Sequence, residues 1–166
     1  SSTYTIDEDT LIAGRTVADA VSYTLTNLTS TVATCSATVS GIAAGDEVML
    51  YCVQGYSSAD TDNWGNYEFL TVDSVSTTDI TFTTSKSKFY GSAANGDANI
   101  GTSASAMKVV VQRVPNYQNL TVENGSTMTC KSYEDTGGTG GKMVFRVGGS
   151  LSLQGLLSVN QKGYRE

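Results

Sequence analysis

Apolar and polar residues alternate along most of the chain, in short runs separated by glycine, asparagine and serine. Alternation with a period of two predicts half-buried β-strands, and a spacing of about ten residues between runs is typical of a sandwich or barrel. Pro115, the single proline, ends the last of these strands because it cannot donate to a β-ladder. The pattern predicts an antiparallel β-sandwich or barrel-like domain over residues 1–114, with strands at 22–26, 30–39, 47–54, 67–75, 79–83 and 107–114.

Beyond Pro115 the apolar runs become shorter and most are bounded by Asn-Gly or Gly-Gly pairs. Short strands with tight glycine turns are typical of a β-helix coil or a small stacked β-layer. The sequence therefore predicts an all-β chain with a second, β-helix-like segment over residues 115–166, with strands at 119–122, 126–130, 142–147 and 150–159.

Composition and charge exclude several partners. The formal net charge is -6 and the sequence pI is about 4.5, whereas a nucleic-acid binder needs clustered cations. The longest apolar runs are only a few residues, such as 109–111, so no helical membrane span is expected. The chain begins at Ser1 with neither an initiator Met nor a signal pattern, which is typical of a mature secreted or cell-surface protein, or of a trimmed chain.

Catalytic motifs are scarce in the sequence. It contains no histidine, which excludes Ser-His-Asp and Cys-His arrangements. The glycine cluster at 137–141 lacks a following helix to aim N–H groups at a phosphate, so we interpret it as a tight turn. The sequence therefore predicts a protein that is not an enzyme and requires no cofactor.

The loop over residues 60–68 is the most informative local feature. Its oxygen-bearing side chains could wrap a hard cation such as Ca²⁺. The EF-hand pattern fails, since Trp64 occupies position five and no Glu lies at position twelve. The candidate ligands are Asp60, Asp62, Asn66 and Glu68; the alternative is a polar surface loop held by Trp64.

Aromatic residues cluster in and near the same loop. Exposed aromatic rings can stack on sugar rings or contact a partner protein. The candidates for glycan stacking are Tyr56, Trp64 and Tyr67. The alternative is that they serve packing or subunit contact.

Cysteines and sequons suggest covalent modification. The three cysteines are too few for a disulfide scaffold, but Cys35 and Cys52 could form one bridge. The alternative is that all three are small buried residues. Acceptor patterns for N-glycosylation occur at Asn27, Asn119 and Asn124.

Five stretches occur in a characteristic order: 45–55, 65–72, 111–122, 140–149 and 162–165. Together they resemble a module of large bacterial extracellular, adhesin-like proteins, in which a β-domain leads into a right-handed β-helix-like or glycine-rich segment. The resemblance implies a location and an architecture more than an activity. Proteins of that kind continue past the Lys-Gly-Tyr-Arg motif into a glycine-rich region, where this sequence stops.

Two functions follow as hypotheses. The first is an extracellular structural module that self-assembles into, or forms part of, a surface fibre or adhesin, with copies of itself or a continuing β-helix as its partner. An apolar terminal strand without a cap invites another strand. The alternative is a carbohydrate-binding or host-attachment module of the phage-tail kind, with a glycan as partner. The predicted assembly edge consists of Leu151, Leu153, Leu157 and Val159, with Tyr4 and Ile6 as strand donors.

Overall fold

Six antiparallel strands form a closed barrel in the computed structural model, which describes residues 21–55 and 62–163. Around the barrel the order is β1-β2-β5-β4-β3-β6. This confirms the predicted all-β class and the barrel-like antiparallel arrangement. The barrel strands are β1 (Ser22–Leu28), β2 (Val32–Cys35), β3 (Glu47–Gln54), β4 (Tyr67–Ser76), β5 (Asp79–Phe82) and β6 (Lys108–Val114).

The barrel interior is filled by the inward residues of all six strands. Leu25, Leu50, Ile80 and Val111 are completely buried there. β3 has the bounds that its sequence predicts, and β4 and β5 form the predicted antiparallel hairpin. β2 is shorter than the predicted run over residues 30–39, because the chain leaves the sheet after Cys35.

Both faces of β3 and β6 are buried, which explains their nearly continuous apolar sequences. Met49, Tyr51, Val110 and Val114 point away from the interior and form a second apolar cluster, on the outer wall. Residues 137–146 lie against this wall: Val144 packs on the cluster and the Gly137 carbonyl accepts a hydrogen bond of 2.6 Å from the Thr24 hydroxyl.

A two-layer stack of short parallel strands follows the barrel. The first layer contains β7 (Asn116–Tyr117), β8 (Leu120–Val122) and β9 (Thr127–Met128); the second contains β10 (Arg146–Val147), β11 (Leu151–Leu153) and β12 (Leu156–Leu157). β10 pairs with β7, β11 with β8 and β12 with β9, each in parallel register. The predicted short β-helix-like strands are therefore confirmed, whereas the boundary between domains 1–114 and 115–166 stays a prediction.

The run over residues 150–159 differs from the single alternating strand that its pattern predicts. A turn at residues 154–155 divides it into β11 and β12, and the alternation continues across this turn. Leu157 lies over Met128, as Leu151 lies over Leu120 and Leu153 over Val122, so the three leucines share one face. Leu157 packs on the cluster around Met128, and Leu156 points outward.

The predicted bridge between Cys35 and Cys52 is not formed, since both residues are free, buried thiols. Cys35 lies on β2 and Cys52 on β3, which are three strand positions apart in either direction around the barrel. Adjacent strands are about 4.8 Å apart, and a disulfide needs Cα atoms within about 7 Å. Burial raises the pKa of Cys35 to about 12 and that of Cys52 to about 11, so both behave as inert core residues.

Candidate functional site

The turn before β4 is fixed by hydrogen bonds from side-chain amides. Asn63 donates from Nδ2 to the carbonyls of Gly91 at 2.7 Å and Ala93 at 2.8 Å. Asn66 donates from Nδ2 to the carbonyl of Phe89 at 2.9 Å. These bonds join the turn to the loop that follows β5, and they leave the Trp64 ring exposed at its tip.

Glu68 uses both carboxylate oxygens to hold the same loop. Oε2 accepts from the Ser87 amide at 2.8 Å and hydroxyl at 3.0 Å, and Oε1 accepts from the Lys88 amide at 3.1 Å and the Tyr90 hydroxyl at 2.9 Å. Burial on its own would raise the pKa of Glu68, but these four hydrogen bonds together lower it below its ordinary value. Glu68 is therefore a structural anchor of this loop.

The predicted calcium ligands do not form a cluster in the described part of the chain. Asp60 lies outside the described residues, Asn66 donates its amide to the loop, and Glu68 has its oxygens occupied. Among residues 21–55 and 62–163, no group of three or more His, Cys, Asp or Glu side chains could hold a metal ion.

An aromatic strip runs along the outer face of β4. Tyr67 and Phe69 are exposed, two residues apart, and their rings meet edge to face with centroids 6.1 Å apart. A cation lies over each ring: the Lys88 ammonium is 5.0 Å from the Tyr67 centroid and the Arg146 guanidinium is 4.8 Å from that of Phe69. Such a strip offers flat apolar faces flanked by positive charge.

Beside the strip, a cleft of about 430 Å³ opens between the barrel and the stacked layers. Tyr51 and Tyr67 lie on its barrel side, and Lys142, Met143 and Val159 lie on the other. Its volume is within the range of about 300–1,000 Å³ that small-molecule sites occupy. The lining is mainly apolar, with Lys142 as its charged side chain.

Lys142 stacks on the barrel wall. Its Nζ is 4.1 Å from the Tyr51 ring centroid, close enough for a cation–π contact. Burial lowers the pKa of Lys142, and the nearby Cys130 opposes that shift. Sequence reasoning missed both Lys142 and Phe69. Only the fold brings Lys142 beside Tyr67, whereas strand alternation alone places Phe69 on the same face as Tyr67.

The structure separates the other predicted site residues. Tyr67 lines the cleft, Trp64 lies one residue before the lining residue Gly65, and Tyr56 lies outside the described residues. Val159, predicted at the assembly edge, is half exposed and also lines the cleft. Tyr4 and Ile6 also lie outside the described residues.

The predicted glycosylation acceptors lie in different environments. Asn27 on β1 and Asn124 in the turn before β9 are exposed. The Asn119 side chain joins the two layers instead, since its Oδ1 accepts from the Ser150 amide at 3.0 Å and hydroxyl at 2.9 Å.

The second layer is stacked in register on a buried core. Leu151 lies over Leu120 and Leu153 over Val122, so each pair of aligned side chains points to the same face. Leu120 and Val122 are buried, whereas Leu151 and Leu153 are each 50% exposed. Half of the predicted edge is thus an apolar surface that is open above the stack, which we call the open layer (Leu151, Leu153 and their strand β11).

The fold defines an all-β module in which a closed barrel carries a two-layer parallel stack. No protein-family model matches the chain, and no curated protein matches it. Within the described ranges, no helix is long and apolar enough to cross a membrane.

Two solved structures similar to the chain are bacteriophage tailspikes. The Gp54 tailspike of Acinetobacter baumannii bacteriophage AP22, in complex with A. baumannii capsular saccharide, has 18% identity and a TM-score of 0.34 over 92% of this chain and 26% of that chain. The tailspike gp61 of Pseudomonas phage phi297 has 16% identity and a TM-score of 0.37 over 94% of this chain and 24% of that chain. The chain thus spans about a quarter of either tailspike. Similarity at this level does not indicate function, and the resemblance to bacterial adhesin-like modules stays a prediction.

Proposed function

We propose that the chain is a structural module of an extracellular fibre or spike, and that its open layer is covered by the same layer of a second copy. The observation that carries this proposal is the register of the stack. The second layer buries Leu120 and Val122, while Leu151 and Leu153, aligned on them, have nothing above them in the described chain. In this proposal the module has no catalytic role and needs no cofactor.

The backbone of the open layer supports the same function. β11 has a single partner strand, β8, among the described residues, so its other side is available for pairing. Exposed strand edges are usually protected by charged residues, especially lysine. Residues 147–160 contain no charged residue at all.

The absence of charge also favours a second copy as the partner. The whole chain has a formal net charge of -6, so two copies repel each other over most of their surfaces. An uncharged apolar patch is the part of the surface where two copies can meet without repulsion.

Sedimentation of Leu153→Asp tests this function, with Leu156→Asp as the matched control. Leu156 is 55% exposed but lies on the outward side of β12, so its variant adds the same charge away from the open layer. About half of the roughly 1.5–3 kcal/mol for burying a leucine is still available at position 153. A dimer contains two substituted positions, so its association free energy is weakened by about 1.5–3 kcal/mol, or roughly 10- to 100-fold in affinity. The introduced charge adds to this loss.

We expect the wild-type chain to associate, Leu153→Asp to be monomeric and Leu156→Asp to associate as the wild type does. A wild-type chain that stays monomeric at high concentration would contradict the assembly function. If Leu156→Asp dissociates the assembly and Leu153→Asp does not, the copies meet side by side and the proposed interface is wrong.

A second candidate is saccharide attachment at the cleft, favoured by the aromatic strip of Tyr67 and Phe69 beside it. Tyr67 is 53% exposed and its ring faces both the strip and the cleft, as a sugar-stacking platform requires. A glycan array with wild type and Tyr67→Ala tests this function. Binding that is lost in the variant supports it, and an array without any bound glycan contradicts it.

A further inference from the structure

Lys142 is a partly buried cation that has no counter-ion among the described residues. No carboxylate of residues 21–55 and 62–163 lies within ion-pair distance of its Nζ. Other partly buried cations have partners: Lys86, Arg113 and Arg146 each pair with an acid, and Lys108 donates from Nζ to backbone carbonyls at 2.6 Å.

The position of Lys142 places this charge at the cleft. The side chain is half-buried between the Tyr51 ring and the neighbouring residues Gly141 and Met143, which line the cleft with it. Burial already lowers the pKa of Lys142, so the folded chain holds a cation where its charge is disfavoured. An anion that enters the cleft would relieve this cost through a charge-assisted hydrogen bond.

The rest of the lining indicates what accompanies the anionic group. Tyr67 offers an exposed ring face, and Met49, Val144 and Val159 add apolar contacts. A sugar ring presents an apolar C–H face that stacks on tyrosine, and its edge carries polar substituents. One ring with one negative substituent matches Tyr67 and Lys142, which line the cleft together.

We propose that the cleft binds a sugar residue that carries a carboxylate, with its ring on Tyr67 and its carboxylate on the ammonium of Lys142. This inference rests on the second candidate function and assigns its ligand class. A neutral sugar would give Lys142 no counter-ion beyond the described residues, whereas a carboxylate without a ring would leave Tyr67 uncovered.

The test is an NMR titration of the full chain with three probes: glucuronate, glucose and acetate. We expect glucuronate to shift the signals of Tyr67 and Lys142 saturably, with a Kd of about 1 mM, and glucose and acetate to bind at least about tenfold more weakly. Lys142→Gln should weaken glucuronate binding at least about tenfold, whereas Lys142→Arg keeps the charge and should retain it.

Thermal unfolding of both variants shows whether the cleft is still formed, since Lys142 also packs on Tyr51. Equal binding of glucose and glucuronate, unchanged in Lys142→Gln, overturns the acidic ligand and leaves saccharide attachment standing. Equal binding of acetate and glucuronate overturns the assignment of the ligand as a sugar and shows that the cleft is an anion site. No shift with any probe overturns the inference, while the glycan array decides separately whether saccharide attachment survives.

Discussion

The ion pair between Glu47 and Arg146 joins the barrel to the second layer, and its removal should loosen that junction. Arg146 donates to the Glu47 carboxylate three times: from Nε at 2.9 Å and 2.6 Å, and from Nη2 at 2.6 Å. Asn116 adds a bond of 3.1 Å from Nδ2 to Oε2. The Glu47 side chain is 0% exposed and that of Arg146 is 47% exposed.

These exposures set the expected magnitude. Removing one partner of a buried pair costs roughly 3–5 kcal/mol, because the other charge is left without compensation. Solvent screens the half-exposed Arg146, so we expect Arg146→Met to lower the free energy of unfolding by about 2–3 kcal/mol. Arg146 and Asn116 make further interactions, so the single variants overstate the pair itself.

A double-mutant cycle with Glu47→Gln and Arg146→Met, measured by urea unfolding, isolates the pair. We expect a coupling energy of about 2 kcal/mol, and faster hydrogen exchange in β10–β12 than in the barrel once either partner is changed. Lys88→Met is the matched control, since it removes an exposed cation over Tyr67 that belongs to no carboxylate pair in the described chain. A coupling below about 0.5 kcal/mol would refute the idea that this pair holds the layer to the barrel.

Two further predictions concern the loops. The lowered pKa of Glu68 gives stability that is present above the ordinary glutamate pKa of about 4.3 and is lost as the pH falls through the lowered value. The melting temperature should therefore fall less steeply between neutral and acid pH in Glu68→Gln than in the wild type. An equal slope would contradict this, and exposed Glu123→Gln is the control. A Cβ on Gly155 would lie 2.3 Å from the Ser126 carbonyl oxygen, so Gly155→Ala should destabilise the stack by about 1–3 kcal/mol in urea unfolding. Gly163→Ala, with open space around it, should have no effect, and equal stability of the two variants would show that the turn yields without cost.

The local pattern of the sequence predicts most strands because alternation depends only on neighbouring residues. It gives the bounds of β3 and the β4–β5 hairpin, and it indicates the short strands after Pro115. Pairing is non-local, so the closed order of the barrel does not follow from alternation. The proposed bridge between Cys35 and Cys52 fails for this reason.

The candidate site was less predictable than the fold. The acidic loop suggested ligands, but Glu68 serves the neighbouring loop through bonds to residues that sequence spacing does not bring near it. Alternation places Leu157 on the face of Leu151 and Leu153, but it does not show that Leu157 packs on the cluster around Met128 while the other two are half exposed. No sequence pattern marks Lys142 as a site residue, because its cation–π partner Tyr51 lies far away in the chain.

The cover of the outer barrel wall by residues 137–146 has a consequence during synthesis. All six barrel strands are available once Val114 has left the ribosome, but the apolar wall around Met49 and Val110 lacks this cover until Arg146 follows. At roughly 5–20 residues per second, that interval lasts roughly 2–6 seconds. During this interval the barrel interior is already packed, but the apolar outer wall is exposed to solvent. Nascent chains on the same messenger RNA can then associate through these walls.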